Sequence, residues 1–185
     1  AMALSSLPAD PKVFDEKPRD PESHIIDRSM LKRIVFGGLM FFGILILLWE
    51  VLLHADVRSV SDLFSWTLIK DALAGTMGET ASEMTRYEMG IFFTTFVMLQ
   101  FWNIFNAKNY RTDNSFFLTI FSKTSFSLNF YLIVLLILGG QYLIVNHLGR
   151  FFDVAPLNSG DWLRIVSVTS LVLILPEIKR IVRSL

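Results

Sequence analysis

The chain has 185 residues, of which 52% are hydrophobic and 18% are charged, and its 17 basic and 17 acidic residues cancel. The length suits one domain, but 17 Phe and a mean hydropathy of +0.49 are not typical of a water-soluble one. The neutral charge balance argues against a nucleic-acid-binding surface. Because the chain has no cysteine, disulfide frameworks, thiolate nucleophiles and cysteine-based zinc sites are excluded.

Residues 1–33 are predicted to combine the end of a preceding membrane helix with a polar linker. The stretch from Ala1 to Leu7 is mostly apolar and is stopped by Pro8. It lacks the basic start and the long apolar core of a signal peptide, so we expect the chain to be a fragment cut within a longer protein. From Ala9 to Arg33 the sequence is polar and rich in proline, which predicts an exposed connector rather than a long helix.

Four apolar runs are long enough to cross a membrane. We place them at about 34–53, 87–106, 126–145 and 162–178. Twenty residues of helix rise ~30 Å, about one hydrocarbon thickness. In the first run, small residues that permit close helix contact stand at Gly37, Gly38 and Gly43. In the last run, Pro176 is expected to kink the helix near its end.

The predicted fold class is all-α membrane, with four transmembrane helices in an antiparallel bundle at residues 34–178 and a basic tail at 179–185. The basic residues indicate the orientation. Twelve of them lie in the N-terminal segment, the middle link and the tail, against five on the other side. This distribution predicts a multi-pass integral membrane protein with both termini in the cytoplasm, in contact with the lipid bilayer and with no nucleic-acid partner.

The connector from His54 to Arg86 is expected to contain a short interfacial helix that starts near Asp62. It is too short to cross a membrane. The acidic side chains of Glu79, Glu83 and Glu88 could bind a cation in principle, but the mixed signs of charge in this region favour a solvated loop.

The second run ends in the sequence Met98-LQFWNIFNA-Lys108, which places three carboxamides at helical spacing. Residues three and four apart share a helix face, so Gln100 and Asn103 are predicted to lie together, with Asn106 one turn further on. Carboxamides in hydrocarbon need a partner on a neighbouring helix or in a polar cavity. This run is therefore predicted to be part of a bundle.

The sequence contains no motif of a self-contained enzyme. It has no Gly-rich phosphate loop, no Gly-x-Ser-x-Gly elbow and no His-Glu-x-x-His, so no catalytic or cofactor-binding residue is predicted. The polar groups within the spans are few: Gln100 and Asn103 on the second run, and Asn129 and Gln141 on the third. From the residues alone, hydrogen bonding between helices is the interpretation that we favour for all four.

The stretch Phe96-VMLQFWNIFNA-Lys108 resembles the eighth membrane helix of calcium-transporting P-type ATPases. That helix typically carries Gln or Glu, then Asn three residues on, then Asn again, which Gln100, Asn103 and Asn106 match. Other stretches resemble the same family in the same order: the end of its sixth helix (1–8), its proline-rich loop (15–21), the glycines of its seventh helix (37–43), its ninth helix through the start of its tenth (141–162), and its C-terminal helix end (175–180).

The resemblance implies that the chain is the C-terminal transmembrane region of a calcium-transporting P-type ATPase, from the end of the sixth helix to the tenth. It implies ATP, Mg²⁺ and Ca²⁺ for the parent protein and no cofactor for this stretch. Without phosphorylation and ATP sites the stretch should be inactive alone. The implied partners are the remaining membrane helices and the cytoplasmic domains of the parent.

Gln100 is the residue that the resemblance transfers as a metal-site candidate, and Asn103 is a weaker one. Pumps of the sarcoplasmic-reticulum type carry Glu at the first position, where it helps to form a second calcium site. Gln100 is more similar to plasma-membrane-type pumps, which are associated with one site. An amide offers one carbonyl oxygen, whereas hard cations prefer several oxygens, usually with carboxylates among them. We expect both residues to be cation ligands or hydrogen-bond partners of ligands.

Two alternatives remain open from the sequence. One is a stand-alone four-helix membrane protein that acts as an interaction or assembly subunit. The other is a small channel lined by Gln100, Asn103 and Gln141, although the other spans carry few polar residues for a pore. Two motifs in the reading frame upstream of this chain would favour the pump: an Asn-x-x-x-Asp pair on an apolar helix, and an Asp-Lys-Thr-Gly-Thr sequence further towards the N-terminus.

Overall fold

The computed structural model describes residues 26, 28–55, 57–74, 83–108 and 127–184. Their helices are α1 (Arg28–His54), α2 (Trp66–Ala74), α3 (Arg86–Lys108), α4 (Leu128–His147), α5 (Gly149–Phe152), α6 (Ser159–Thr169) and α7 (Leu171–Ser184), with a 3₁₀ turn at Asp62–Phe64. No strand occurs in these ranges. Most of the predicted linker, 1–25, and most of the middle link, 109–126, lie outside the described residues, and the predicted division into domains stays a prediction.

Within the described ranges, four segments are long and apolar enough to cross a membrane: Met30–His54, Arg86–Lys108, Leu128–His147 and Ser159–Pro176. The predicted all-α architecture with four membrane helices is thereby confirmed. The short helix predicted near Asp62 is present as the 3₁₀ turn followed by α2.

The fourth span consists of two helices, α6 and α7, that meet at Ser170. Pro176, where a kink near the end of the span was predicted, lies inside α7, and the predicted kink stays a prediction. The hydroxyl of Thr169 donates to the carbonyl of Ile165, and that of Ser170 to the carbonyl of Ser167, each at 2.6 Å. Such back-bonding bends helices, which accounts for the break at this point.

Helix α3 is the centre of the bundle. It packs against α1, α4, α6 and α7. Of its membrane-crossing stretch 44% is buried, against 11% for that of α1. A chain of edge-on aromatic contacts joins Phe101 to Phe105 at 5.4 Å and Phe105 to Phe130 of α4 at 5.8 Å, a geometry that aromatic rings favour. The large apolar side chains of this run therefore form the core.

The glycines of α1 face open space. A Cβ atom built on Gly37, Gly38 or Gly43 would meet no atom within 4 Å. Next to them, the side chains of Phe36 and Leu39 are 74% and 64% exposed. The close helix contact that these glycines permit is thus not made within the described part of the chain.

The described parts of the first connector (55, 57–74 and 83–85) and the second connector (148–158, between α4 and α6) lie at the same end of the bundle, where α1 and α4 end and α3 and α6 begin. The second connector is fastened to the start of α3. Ala155 N donates to the carbonyl of Arg86 at 2.8 Å, and Arg86 Nε lies 2.7 Å from Asp153 Oδ1. Leu157 N donates to Asn146 Oδ1 at 3.2 Å and fastens it to α4 as well. These bonds fix the direction in which α6 leaves the connector.

Replacing Gly149 by alanine should destabilise this connector by about 2 kcal/mol. A Cβ at this position would lie 2.4 Å from the Val154 carbonyl oxygen, and that backbone is held in place because Val154 N donates to the Gly149 carbonyl at 2.9 Å. The shift in the thermal denaturation midpoint of the protein in detergent measures the effect.

The matched control is Gly139→Ala on α4, where a Cβ would meet nothing within 4 Å. Alanine is the better helix former by roughly 0.5–1 kcal/mol, so this variant should keep or raise the midpoint. Equal destabilisation by both variants would contradict the steric argument.

Candidate functional site

The side chains of Gln100 and Asn103 point away from the bundle on α3. Both are exposed, and neither has a hydrogen-bond partner among the described residues. At ~1.5 Å per residue they lie about 12 Å and about 8 Å from the Lys108 end of the helix, which is within the depth of the hydrocarbon. The predicted proximity of these two carboxamides on one face agrees with the structure.

Asn106 does not continue that exposed face. It is half-buried, and its Nδ2 donates to the carbonyl of Val172 in α7 at 2.9 Å. Successive helical residues turn by about 100°, so each step of three residues falls short of a full turn by about 60°. The polar stripe predicted from the spacing is therefore split, with Gln100 and Asn103 outward and Asn106 inward.

The outward face supplies only part of a cation site. Gln100 and Asn103 offer one carbonyl oxygen each, whereas Ca²⁺ takes six to eight oxygen ligands. Among the described residues no group of three or more His, Asp or Glu side chains could hold a metal ion. A cation bound beside Gln100 would therefore need ligands from elsewhere in the protein.

The opposite face of α3 is hydrogen-bonded to the last span. Trp102 Nε1 donates to Thr169 Oγ1 of α6 at 3.0 Å, one helical turn before the contact of Asn106 with Val172. Pro176 has no backbone N–H, so the helix itself gives the Val172 carbonyl no donor from position 176. The Asn106 amide fills that vacancy. Sequence reasoning missed this pairing, although a proline within an apolar span signals a carbonyl that needs a donor.

The carboxamides of α4 differ from each other. Gln141 is buried, and its Nε2 donates to Thr94 Oγ1 of α3 at 3.4 Å, which agrees with the favoured interpretation of an interhelical bond. Asn129 is exposed and has no such bond within the described ranges. Neither residue forms a hydrogen bond with Gln100 or Asn103 in the described part of the chain.

The prediction that Glu88 lies in a solvated loop is wrong. Glu88 is in the first turn of α3 and only 4% exposed. Its Oε2 accepts from Thr85 N at 2.7 Å and from Thr85 Oγ1 at 2.8 Å, and its Oε1 accepts from Val57 N at 3.2 Å. Since Thr85 Oγ1 also accepts from Glu88 N, the pair is a capping box, and the Thr-x-x-Glu spacing could have revealed it.

Asp161, in the first turn of α6, was also missed. It is fully buried and joins α6 to α3 and to the first connector. Its Oδ2 accepts from the Tyr87 hydroxyl at 2.6 Å, and its Oδ1 accepts from Val60 N at 3.2 Å. Asn158 caps α6 by accepting from Asp161 N at 2.9 Å, so the Asn-x-x-Asp spacing was a readable helix start.

These two carboxylates hold the first connector against the starts of α3 and α6. Their oxygens are occupied by donors of the chain, so we assign them to structure rather than to ion binding. The exposed carboxamides Gln100 and Asn103 remain the candidate cation-binding residues.

Residues 1–182 match the family model described as "Cation transporting ATPase, C-terminus". The chain belongs to this cation-transporting ATPase family. Among curated proteins it is similar to human (Homo sapiens) plasma membrane calcium-transporting ATPase 3, with 28% identity over 163 residues, which are 88% of this chain and 12% of that protein. The rat (Rattus norvegicus) protein of the same name matches with 28% identity over 163 residues, 88% of this chain and 11% of its own length.

The matched stretch of this chain corresponds to roughly one eighth of the length of those relatives. The resemblance inferred from the Gln-x-x-Asn-x-x-Asn pattern is confirmed at the level of the family. Membership and four apolar helices together make the chain an integral membrane protein.

Proposed function

We propose that this chain is the C-terminal transmembrane region of an ATP-driven calcium pump, where it scaffolds the ion-transport helices and offers Gln100 to the cation site. The observation that carries the proposal is the exposed pair Gln100 and Asn103 on the central helix α3, without hydrogen-bond partners among the described residues.

An unpaired carboxamide in hydrocarbon is costly, because no water replaces the missing hydrogen bonds. The outward face of α3 therefore needs a polar neighbour. The remaining membrane helices of the parent protein supply that neighbour in this proposal, and a bound cation uses the carbonyl oxygen of Gln100 as one of its ligands. The family match and the small share of the relatives' length support a parent with such helices.

In this proposal the rest of the parent binds ATP and Mg²⁺ and carries out the phosphoryl transfer. This stretch has no nucleotide-binding motif, so it should not hydrolyse ATP by itself. The excess of basic residues in the two terminal segments and the middle link supports a cytoplasmic location for both termini.

Replacement of Gln100 tests the proposal in the intact parent protein. We expect Gln100→Ala to raise the Ca²⁺ concentration for half-maximal ATP hydrolysis roughly threefold to tenfold, which corresponds to the loss of one ligand or hydrogen bond worth about 1 kcal/mol. Gln100→Glu adds a carboxylate, the ligand that Ca²⁺ prefers, and should change the affinity or the number of ions bound.

The matched control is Asn129→Ala, which removes an exposed carboxamide from α4 and should leave the calcium dependence as it is in the wild type. If Gln100→Ala and Gln100→Glu both follow the wild-type curve at every Ca²⁺ concentration, the residue is not part of the ion site. The chain would then act as a scaffold alone.

A further inference from the structure

We propose that Trp102 and Asn106 form a latch that sets the rotation of α3 about its own axis and so directs Gln100 and Asn103 away from the last span. The latch consists of the bonds from Trp102 Nε1 to Thr169 Oγ1 at 3.0 Å and from Asn106 Nδ2 to the Val172 carbonyl at 2.9 Å. Its consequence for the cation site rests on the proposed function, whereas the latch itself does not.

The two donors are suited to fix a rotation. Trp102 and Asn106 are four residues apart, so they lie above one another on the same face of α3. At about 100° per residue, Gln100 lies about 160° around the helix from Trp102. A rotation of α3 by about 60° would carry Gln100 to the direction that Asn103 now occupies. Each latch bond opposes that rotation, so the loss of either bond makes it easier.

The acceptor at Val172 is specific rather than incidental. Pro176 removes the N–H that would otherwise bond to the Val172 carbonyl. In a membrane span a bare carbonyl is costly, so the Asn106 amide satisfies a group that α7 leaves open. Asn106 and Pro176 therefore depend on each other, although they lie on different helices.

The two bonds of the latch go to the two different helices of the fourth span, α6 and α7. Trp102 binds α6 through Thr169, and Asn106 binds α7 through Val172, on either side of the interruption at Ser170. Losing the Asn106 bond should release α7 without releasing α6. Asn106 is in this view a positioning residue, which acts on the cation site only through the setting of α3.

The test is a double-mutant cycle in the intact parent protein in lipid nanodiscs, with Asn106→Leu, Pro176→Leu and the two combined. Leucine at 176 restores the backbone N–H for the Val172 carbonyl, so the Asn106 amide becomes redundant. We expect Asn106→Leu alone to speed amide hydrogen exchange in α7, but not in α6, by roughly threefold to tenfold. It should also raise the half-maximal Ca²⁺ concentration by a similar factor.

In the combined variant both effects should be largely abolished. Trp102→Phe, which keeps the ring and loses the N–H, should speed exchange in α6 and should not be rescued by Pro176→Leu. Asn129→Leu, an exposed carboxamide on α4, is the matched control and should change neither measurement.

Three outcomes would overturn the inference. Unchanged exchange in α7 of Asn106→Leu would exclude the latch. A lower calcium affinity that Pro176→Leu does not rescue would make Asn106 a direct ligand instead. Faster exchange with wild-type calcium dependence, in a protein in which Gln100→Ala does lower the calcium affinity, would leave Asn106 a purely structural residue. If Gln100→Ala has no effect while the exchange cycle behaves as expected, the ion-site proposal fails and the latch stands.

Discussion

Replacing Asp161 by alanine should destabilise the connector end of the bundle by about 3–5 kcal/mol. The carboxylate is fully buried and accepts from the Tyr87 hydroxyl at 2.6 Å and from Val60 N at 3.2 Å. Arg164 also lies 3.5 Å from it. Alanine leaves the buried Val60 N and the half-buried Tyr87 hydroxyl without their acceptor, and leaving a buried donor unpaired costs more than the net value of the bond.

Amide hydrogen exchange at residues 57–62 and in the first turn of α6 measures this effect in the intact protein. We expect exchange to accelerate by about two to three and a half powers of ten, since about 1.4 kcal/mol is a factor of ten. Asp161→Asn keeps one acceptor oxygen and should cost clearly less.

Asp153 provides the matched control for Asp161. It forms an ion pair with Arg86 at 2.7 Å, but the two side chains are 76% and 67% exposed. Exposed pairs contribute at most about 1 kcal/mol, so Asp153→Asn, which removes the charge but tolerates the left-handed backbone at this position (φ 54°), should leave the exchange rates nearly unchanged. Similar acceleration in both variants would mean that burial of Asp161 does not determine its contribution.

Glu88→Ala should cost about 2–4 kcal/mol, because it removes a helix cap and a bond between segments together. The side chain is 4% exposed and accepts from Thr85 at the start of α3 and from Val57 N in the first connector. The midpoint of thermal denaturation should fall, and exchange should accelerate at Val57 and in the first turn of α3.

Glu83→Ala is the control for Glu88, since Glu83 is exposed just before the same helix and should change stability by no more than about 0.5 kcal/mol. If Glu88→Ala left the stability unchanged, the assignment of this carboxylate to structure would be refuted. Glu88 and Asp161 hold the same connector at Val57 and Val60, so combining the two alanine variants should cost less than the sum of the single costs.

Several features could be read from the sequence because they depend on local composition alone. A membrane leaves few options for an apolar run of twenty residues, since every backbone polar group must be satisfied within the segment. Four helical spans followed from that constraint, and the spacing of Gln100, Asn103 and Asn106 led to the family. The helix starts at Thr85 and Asn158 were equally local, because a capping box needs only four residues.

The direction in which each side chain of α3 points could not be read in this way. The helix is apolar nearly all around, so no hydrophobic face marks which side is buried. The partners that decide it are distant in sequence: Asn106 meets Val172, and Trp102 meets Thr169. The burial of Glu88 depends in the same way on Val57 of another segment.

The sequence by itself determined the number of spans, their helical character and the family. Only the tertiary structure decided that Gln100 and Asn103 face outward while Asn106 faces the last span. The physical reason is that hydropathy and helix periodicity act within one segment, whereas the rotation of a helix is set by hydrogen bonds and packing between segments that the chain brings together only on folding.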